Sequence, residues 1–265
     1  MNEQDLGGPA EIHPTAVVDR GAELGQGVRV GPHAIISGGA RIGRETVIGP
    51  HVVIDGTVEI GERCRLHAGV VVGSLPQDLK YREGTVSGVR IGNENDIREY
   101  VTIHRASVED GWTTIGDANF IMAGSHIAHD CRLGNGIIIV NYAGLTGFVE
   151  VEDRAVISGL TGILPYCRIG TIAYVGGWSK VVQDVPPYFL VEGNPARARA
   201  VNVVGLRRNN VPSEVRLDLQ RAFKILYRSG LNRTQALERI KSELTMSEAI
   251  THLMEFIQAS KKGVC

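Results

Sequence analysis

The chain has few aromatic residues, little net charge and no long apolar run, and these scarcities argue against nucleic-acid binding and membrane insertion. Aromatic residues make up only 5% of the 265 residues and the formal net charge is −1, so we expect no basic surface for nucleic acid or an anionic membrane. No apolar run reaches the roughly eighteen residues of a transmembrane helix, and residues 1–5 do not resemble a signal peptide. The sequence therefore predicts a cytoplasmic protein that neither binds nucleic acid nor inserts into a membrane.

Cysteine is also scarce, with four residues in the chain. Cys64, Cys131 and Cys167 occupy one position of a repeat, a position where small residues recur, and the fourth is Cys265. This spacing matches neither a disulfide framework nor a metal site. Buried free thiols that pack as small apolar groups are the simplest interpretation.

What the chain has in abundance is an aliphatic residue at every sixth position. The three series are Ile12, Val18, Leu24, Val30, Ile36, Ile42, Ile48, Ile54, Ile60, Leu66 and Val72; Ile91, Ile97 and Ile103; and Ile115, Ile121, Ile127, Leu133, Ile139, Leu145, Val151, Ile157, Ile163, Ile169, Val175 and Val181. Glycine often follows directly, and a small or β-branched residue often stands four positions later. A period of six fits neither an α-helix nor a single strand, and it is the signature of a parallel β-helix of hexapeptides.

In proteins with this pattern, three hexads form one triangular coil, which is normally wound left-handed. The aliphatic residue points inward, the small residue fits the corner, and glycine relieves strain at the turn. Residues eighteen positions apart then stack one strand spacing apart, roughly 4.8 Å. The repeat therefore predicts which distant residues become neighbours.

The repeat also divides the chain into two predicted domains. Residues 1–187 are expected to form the left-handed β-helix, from which the two interruptions, residues 74–90 and 106–114, project as loops. Residues 188–265 are expected to form a C-terminal α-helical cap, because turn signals are followed by helical periodicity from about Pro212, with a stop at Gly230. Further apolar clusters predict a second helix near Leu237 and a third near Leu253.

Within this monotonous repeat, one stretch concentrates polar groups that are suited to catalysis. Two histidines and a carboxylate, His126, His129 and Asp130, fall within five residues. With eighteen residues a coil, His129 stacks against Gly147, whose backbone N–H no side chain obstructs. A general base beside a free amide donor is what acyl transfer needs, since the base deprotonates the attacking hydroxyl and the amide stabilises the oxyanion. The alternative interpretation is that both histidines are solvated turn residues.

Five short motifs occur in order around this stretch. They are Gln77–Tyr81, Val101–Arg105, His126–Cys131, Gln183–Tyr188 and Gly193–Asn194. Together, and at these separations, they closely resemble the UDP-N-acetylglucosamine O-acyltransferases that begin lipid A biosynthesis. The resemblance covers essentially the whole chain.

That resemblance implies a role for each matching residue. His129 matches the general base that deprotonates the glucosamine 3-hydroxyl, Asp130 its dyad partner, and Gly147 the oxyanion donor. The other matching positions bind substrate. Gln77, Asp78 and Lys80 match residues that contact the sugar nucleotide, and His126 matches a histidine that binds the sugar. Asn202 and Arg208 match positions near the carrier arm and the nucleotide phosphates, and Gly177 matches the position that sets the length of the acyl chain.

The resemblance also implies substrates and assembly. Members of this family transfer a 3-hydroxyacyl chain from the phosphopantetheine thioester of acyl carrier protein to the 3-position of the UDP-sugar. They are homotrimers with active sites between neighbouring β-helices, and they need no metal and no other cofactor.

Three positions depart from the family pattern: Phe148, Leu164 and Pro165 stand where members usually have His, His and Gln. These changes make the cleft more apolar, so an altered acceptor, such as a UDP-3-amino sugar, is an alternative. A further alternative is an acyl-CoA donor on the same scaffold. The third is a zinc carbonic anhydrase-like β-helix, in which three histidines bridge two subunits, with His126 and His129 as two of the ligands and His104 as the third.

Overall fold

The computed structural model describes residues 8–265, so the first seven residues of the predicted β-helical domain lie outside the described residues. Short parallel strands wind into a left-handed β-helix of triangular section, and a helical region follows it, as the sequence predicts. In chain order, strands β1 to β28 are Glu11–Ile12, Val17–Val18, Glu23–Leu24, Arg29–Val30, Ile35–Ile36, Ala40–Ile42, Val47–Ile48, Val53–Ile54, Thr57–Ile60, Arg65–Leu66, Val71–Ser74, Ser87–Ile91, Asp96–Ile97, Thr102–His104, Gly111–Ile115, Phe120–Ile121, His126–Ile127, Arg132–Leu133, Ile138–Ile139, Gly144–Leu145, Glu150–Val151, Val156–Ile157, Gly162–Ile163, Arg168–Ile169, Tyr174–Val175, Lys180–Val181, Phe189–Gly193 and Ala196–Val201.

Every third strand joins the same sheet, which gives the prism its three faces. The first sheet runs from β1 through β4 and every third strand to β25, then β27 and β28; the second runs from β2 to β26, and the third from β3 to β24. Most neighbouring strands pair residues eighteen apart, as in Arg29 with Val47. Consecutive coils therefore stack in register.

The core lies along the axis of the prism. In most strands the second residue is the aliphatic member of the hexad, and it is buried, while the first faces outward. Full burial of each such side chain stabilises the fold by roughly 1.5–3 kcal/mol. The three cysteines at hexad corners are buried free thiols that join this core, as the sequence predicts, and Cys265 is a buried free thiol as well.

The corners hold their shape through residues in the left-handed backbone region. At the corner between the second and third sheets these residues are Asp130, Phe148 and Tyr166, with φ of 60°, 62° and 64°. In an extended strand, neighbouring side chains point to opposite faces. A left-handed residue at a corner breaks that alternation, which matters for the site described below.

Both interruptions are shorter than the sequence predicts. Strand β11 extends to Ser74 and β12 begins at Ser87, so the first loop comprises residues 75–86; the second comprises residues 105–110, because β15 begins at Gly111. The ends of both predicted loops are strands, since they add pairing to the third sheet that the hexad pattern does not reveal.

After the last full coil the chain still belongs to the first sheet, because β27 pairs with β25 and then with β28. The domain boundary suggested after Pro187 therefore remains a proposal. Four helices follow: α1 Val203–Arg208, α2 Ser213–Arg228, α3 Arg233–Glu243 and α4 Glu248–Ala259. Their apolar faces form a separate core with Phe189 and Tyr188. No helix within residues 8–265 combines the length and the apolarity that crossing a bilayer requires.

Candidate active site

The histidine and carboxylate singled out by the sequence form a hydrogen-bonded pair at the corner between the second and third sheets. His129 Nδ1 lies 2.7 Å from Asp130 Oδ2. Adjacent side chains meet because Asp130 is the left-handed corner residue. His129 is only 8% exposed. With Nδ1 directed at a carboxylate, Nε2 is the nitrogen left to take a proton from a substrate.

The second loop holds the carboxylate in place. The Ser107 backbone N–H and hydroxyl both donate to Asp130 Oδ2, at 2.9 and 2.7 Å. Behind it, the Asp130 backbone N–H donates to Thr113 Oγ1 at 2.8 Å. One oxygen of Asp130 therefore accepts from the imidazole and from Ser107, which fixes the orientation of the dyad. Sequence reasoning missed Ser107 and Thr113, because they lie in or beside an interruption, where the repeat predicts no neighbours.

We expect Ser107→Ala to lower kcat/KM about tenfold, because a hydrogen bond to a charged group typically contributes 1.5–3 kcal/mol and the backbone N–H of residue 107 still supports Asp130. Steady-state kinetics of the variant would measure this. Ser107→Thr, which keeps the hydroxyl, is the matched control and should retain most of the activity. Equal losses in both variants would argue against a positioning role for the hydroxyl.

Gly147 lies directly against the His129 imidazole, one coil later. A Cβ at position 147 would be 2.4 Å from Cε1 and 2.6 Å from Nε2 of that ring. In the described chain the amide of residue 147 donates no backbone hydrogen bond, whereas that of Phe148 donates to the His129 carbonyl. Proline, which has no backbone N–H, occupies the same hexad position in other coils, at Pro14, Pro32, Pro50 and Pro165. The coil therefore does not need a backbone hydrogen-bond donor at this position. The amide is therefore available to a ligand.

His126 and His104 flank the dyad on the second sheet. His126 Nδ1 lies 2.7 Å from Thr102 Oγ1, and its ring meets that of His104 edge to face at 4.9 Å. Burial, followed by the proximity of His129, lowers the pKa of His126. This imidazole is therefore held neutral with one ring nitrogen engaged by the protein.

The first-loop residues assigned to the sugar nucleotide are largely exposed and do not contact the dyad. Within this loop the Lys80 backbone N–H donates to Asp78 Oδ1 at 2.9 Å, and the side chains of Gln77 and Lys80 face solvent. The loop leaves the coil after Ser74, which pairs with His104. It therefore departs from the strand beside the histidine cluster.

Gly177 lies at a different corner, between the first and second sheets. An added Cβ would be 3.4 Å from the Gly159 carbonyl oxygen, an ordinary contact, so a side chain fits there within one chain. Trp178 beside it is 77% exposed. The structure does not bring Gly177 to the dyad of the same chain.

Asn202 and Arg208 lie on the first-sheet face, also away from the dyad. They line a cavity of about 620 Å³ together with Arg154 and Tyr174. The Asn202 side chain caps α1 by accepting from Gly205 N at 2.9 Å and donates to the Ile172 carbonyl at 2.8 Å. Asn202 thus shapes the cavity, while Arg208 supplies a positive charge to it.

Of the three departures from the family pattern, Phe148 is the one that contacts the dyad. The Phe148 ring meets the His129 ring edge to face at 5.4 Å and stacks on Tyr166 at 4.8 Å. Leu164 packs against the core, and the Pro165 carbonyl accepts from Lys262 Nζ at 2.6 Å. One wall of the site is therefore aromatic.

No group of three His, Cys, Asp or Glu side chains between residues 8 and 265 is arranged to hold a metal ion. In the zinc alternative the ligands come from two subunits, so a single chain does not test it. Two of its three proposed ligands already direct Nδ1 at protein groups, His126 at Thr102 and His129 at Asp130.

Family models match both parts of the chain. Residues 39–74 and 113–147 match the bacterial transferase hexapeptide, and residues 184–265 match the second domain of UDP-N-acetylglucosamine O-acyltransferase. The acyl-[acyl-carrier-protein]--UDP-N-acetylglucosamine O-acyltransferase of Thermodesulfovibrio yellowstonii is 49% identical, with 96% of this chain and 99% of that protein covered. That of Burkholderia orbicola is 48% identical, over 96% and 98%.

Solved structures agree with these matches. The UDP-N-acetylglucosamine acyltransferase from Campylobacter jejuni superposes with a TM-score of 0.90 at 40% identity, over 96% of this chain and 98% of that one. The enzyme of the same description from Bacteroides fragilis gives a TM-score of 0.94 at 33% identity, over 96% and 99%.

Proposed function

Because the chain belongs to the family of UDP-N-acetylglucosamine O-acyltransferases, we propose that it moves a 3-hydroxyacyl chain from acyl carrier protein to the 3-hydroxyl of UDP-N-acetylglucosamine, the first step of lipid A biosynthesis. The observation that carries this proposal is the His129–Asp130 pair facing the unobstructed amide of Gly147. The proposed location is the cytoplasm.

The reaction follows from these groups. His129 Nε2 accepts the proton of the sugar hydroxyl as the oxygen attacks the thioester carbonyl, and Asp130 stabilises the imidazolium that forms. The Gly147 N–H donates to the oxyanion of the tetrahedral intermediate. Collapse of the intermediate breaks the carbon–sulfur bond, and the imidazolium returns its proton to the departing phosphopantetheine thiolate. The ester and the free thiol are the products, and no other cofactor takes part.

Binding of the two substrates is assigned to the remaining matched residues. Gln77, Asp78, Lys80 and His126 are proposed to contact the sugar nucleotide. Arg208, in the cavity shaped by Asn202, is proposed to meet the nucleotide phosphates or the carrier arm. Gly177 is proposed to set the acyl-chain length, because the missing side chain leaves room there that a larger residue would fill.

A homotrimer is proposed because the three faces of the prism differ. The outward residues of the third sheet are mostly charged and paired along the column, as in Arg90 with Glu59 at 2.6 Å, which suits solvent. The outward residues of the second sheet are mostly apolar or small, and they include Val17, Ile35, Val53, Val71, Gly144 and Gly162. Those of the later coils of the first sheet are apolar too, and they include Phe120, Ile138, Val156, Tyr174 and Leu190. Two unlike contact faces are what a closed ring of identical subunits needs.

The corner between these two faces also carries exposed, uncharged side chains. Tyr100, Tyr142, Leu160 and Trp178 are 71, 65, 46 and 77% exposed, and each adopts a left-handed φ. With this corner at a threefold axis, the first-sheet face of one copy lies opposite the second-sheet face of the next. The cavity that contains Arg208 and the dyad then come from different copies and border one cleft.

Mixed trimers provide a test of this arrangement. We expect His129→Ala and Arg208→Ala trimers each to be nearly inactive, because each lacks one half of every site. In a trimer that contains both variants, roughly one site in three combines an intact His129 with an intact Arg208. Co-expression with two affinity tags, followed by an activity assay of doubly purified trimers, should therefore recover about a third of wild-type activity. No recovery would place both residues in the same subunit's site.

The proposed activity itself is tested by mass spectrometry of products from a panel of donors and acceptors. We expect a 3-hydroxyacyl ester of UDP-N-acetylglucosamine with acyl carrier protein as donor. Preferential amide formation on a UDP-3-amino sugar would instead favour the altered acceptor, and an equal rate with acyl-CoA would favour the other donor. Zinc in stoichiometric amount together with carbon dioxide hydration would support the carbonic anhydrase-like alternative.

A further inference from the structure

His104 is a buried imidazole that neither the dyad nor the fold accounts for. It ends β14, on the strand that pairs with the strand of His126, and its ring meets the His126 ring edge to face at 4.9 Å. It is only 7% exposed. Its Nδ1 is buried and has no hydrogen-bond partner, and it is the one such side-chain nitrogen or oxygen in residues 8–265.

An unpartnered buried nitrogen calls for an explanation. Leaving a buried polar group unsatisfied costs roughly 1–3 kcal/mol, and native proteins keep few such groups. A residue serving only as core would be replaced at lower cost by an apolar side chain. The hydrogen-bonding capacity of His104 is thus unused by the protein itself.

The three imidazoles of the cluster differ in what holds them. A carboxylate orients His129 and a hydroxyl orients His126, whereas packing alone holds His104. Burial, followed by the proximity of His126 and of His129, lowers the pKa of His104 to about 4. His104 is therefore neutral near neutral pH and adds no second positive charge beside the imidazolium that forms during the reaction.

The position of His104 along the prism indicates which substrate it meets. The oxyanion amide lies one coil after the dyad, while His104 lies one coil before it. If the Gly147 N–H is the oxyanion donor, as in the proposed function, the thioester carbonyl lies on the Gly147 side. The acceptor, whose hydroxyl approaches that carbonyl past His129, therefore has its neighbouring substituents on the His104 side.

We propose that His104 binds the acceptor sugar through Nε2, which has no hydrogen-bond partner in residues 8–265 and, unlike Nδ1, is not fully buried. It acts as a neutral hydrogen-bonding group directed at a polar substituent beside the reacting hydroxyl. This inference rests on the proposed function and assigns one more binding residue to the same site. Its ligand is a sugar amide or hydroxyl, not the acyl chain and not a phosphate.

The test compares His104→Phe, which keeps a ring but no hydrogen bond, with His104→Gln, which keeps a neutral donor and acceptor. We expect the Phe variant to raise KM for UDP-N-acetylglucosamine about tenfold, and to weaken its calorimetric Kd similarly, because one neutral hydrogen bond is lost. KM for the acyl carrier protein donor and kcat should change little. The Gln variant should recover most of the affinity.

His13→Phe, at an exposed histidine of the first coil, is the control and should leave every constant unchanged. An unchanged Kd for the sugar nucleotide in the Phe variant overturns the inference. So does equal loss in the Phe and Gln variants together with a lowered Tm, which marks a packing role. A wild-type enzyme that transfers no acyl group overturns the proposed function as well, whereas active wild type with unaffected variants overturns this inference alone.

Discussion

Replacing His129 by alanine is expected to lower kcat by about 10²–10⁴-fold, the range for a positioned general base. The imidazole lies 2.7 Å from the Asp130 carboxylate and presents its other nitrogen to the cleft, and none of the neighbouring groups replaces it. His126 lies nearby but directs its Nδ1 at Thr102, not at a carboxylate. Single-turnover kinetics with a saturating donor would measure the chemical step.

The coil should remain folded in this variant, because His129 contributes no side chain to the aliphatic core. Circular dichroism and a Tm within a few degrees of wild type would establish that. His13→Ala, in the exposed first coil, is a matched histidine control and should keep full activity. A His129→Ala enzyme of near-normal kcat would end the mechanism proposed here.

Gly147→Ala keeps the backbone N–H but is expected to lower kcat/KM by at least about 10²-fold, because the added methyl group displaces a general base that contributes roughly 10²–10⁴-fold. The added methyl carbon would lie 2.4 Å from the His129 ring, closer than real contacts allow, so the ring must rotate away from Asp130. Gly147 does not have a left-handed φ, so the substitution adds bulk without backbone strain. One methyl group thus both displaces the base and crowds the space beside the Gly147 amide.

A crystal structure of this variant would show whether the imidazole has left the carboxylate. Thermal melting should change little, since the methyl group meets a side chain outside the aliphatic core. Wild-type activity in Gly147→Ala, with the dyad intact, would show that catalysis does not need the open space between residue 147 and the His129 ring.

The hexad pattern predicted the fold because the inward aliphatic residue recurs with the same six-residue period in nearly every hexad, so a few irregular hexads do not obscure it. The eighteen-residue rule also brought Gly147 to His129, since no insertion separates their coils. It failed for Thr102 and His126, whose hydrogen bond spans twenty-four residues. The second loop adds six residues to that coil, and the sequence does not state at which corner they leave it.

Other features could not be predicted from the sequence, because they depend on the local backbone conformation or lie in segments without a repeat. Adjacent side chains diverge in an extended strand, but the left-handed φ of Asp130 turns its side chain toward His129. Ser107 carries no motif and no period, so only coordinates show that it donates to Asp130. The strands β27 and β28 and the helix α1 were missed, because short elements among Pro and Arg residues give no clear periodicity.

The stacked register has a consequence for how this chain tolerates changes in length. Removing one residue between His129 and Gly147 would slide every later hexad by one place, so that aliphatic groups meant for the axis face water and the glycine leaves the imidazole. Deletions should therefore be far more damaging there than most substitutions. Two kinds of length change preserve the stacking register of the coils. One is an insertion that leaves the β-helix as a loop at a corner, as residues 75–86 and 105–110 do. The other is the gain or loss of a complete coil.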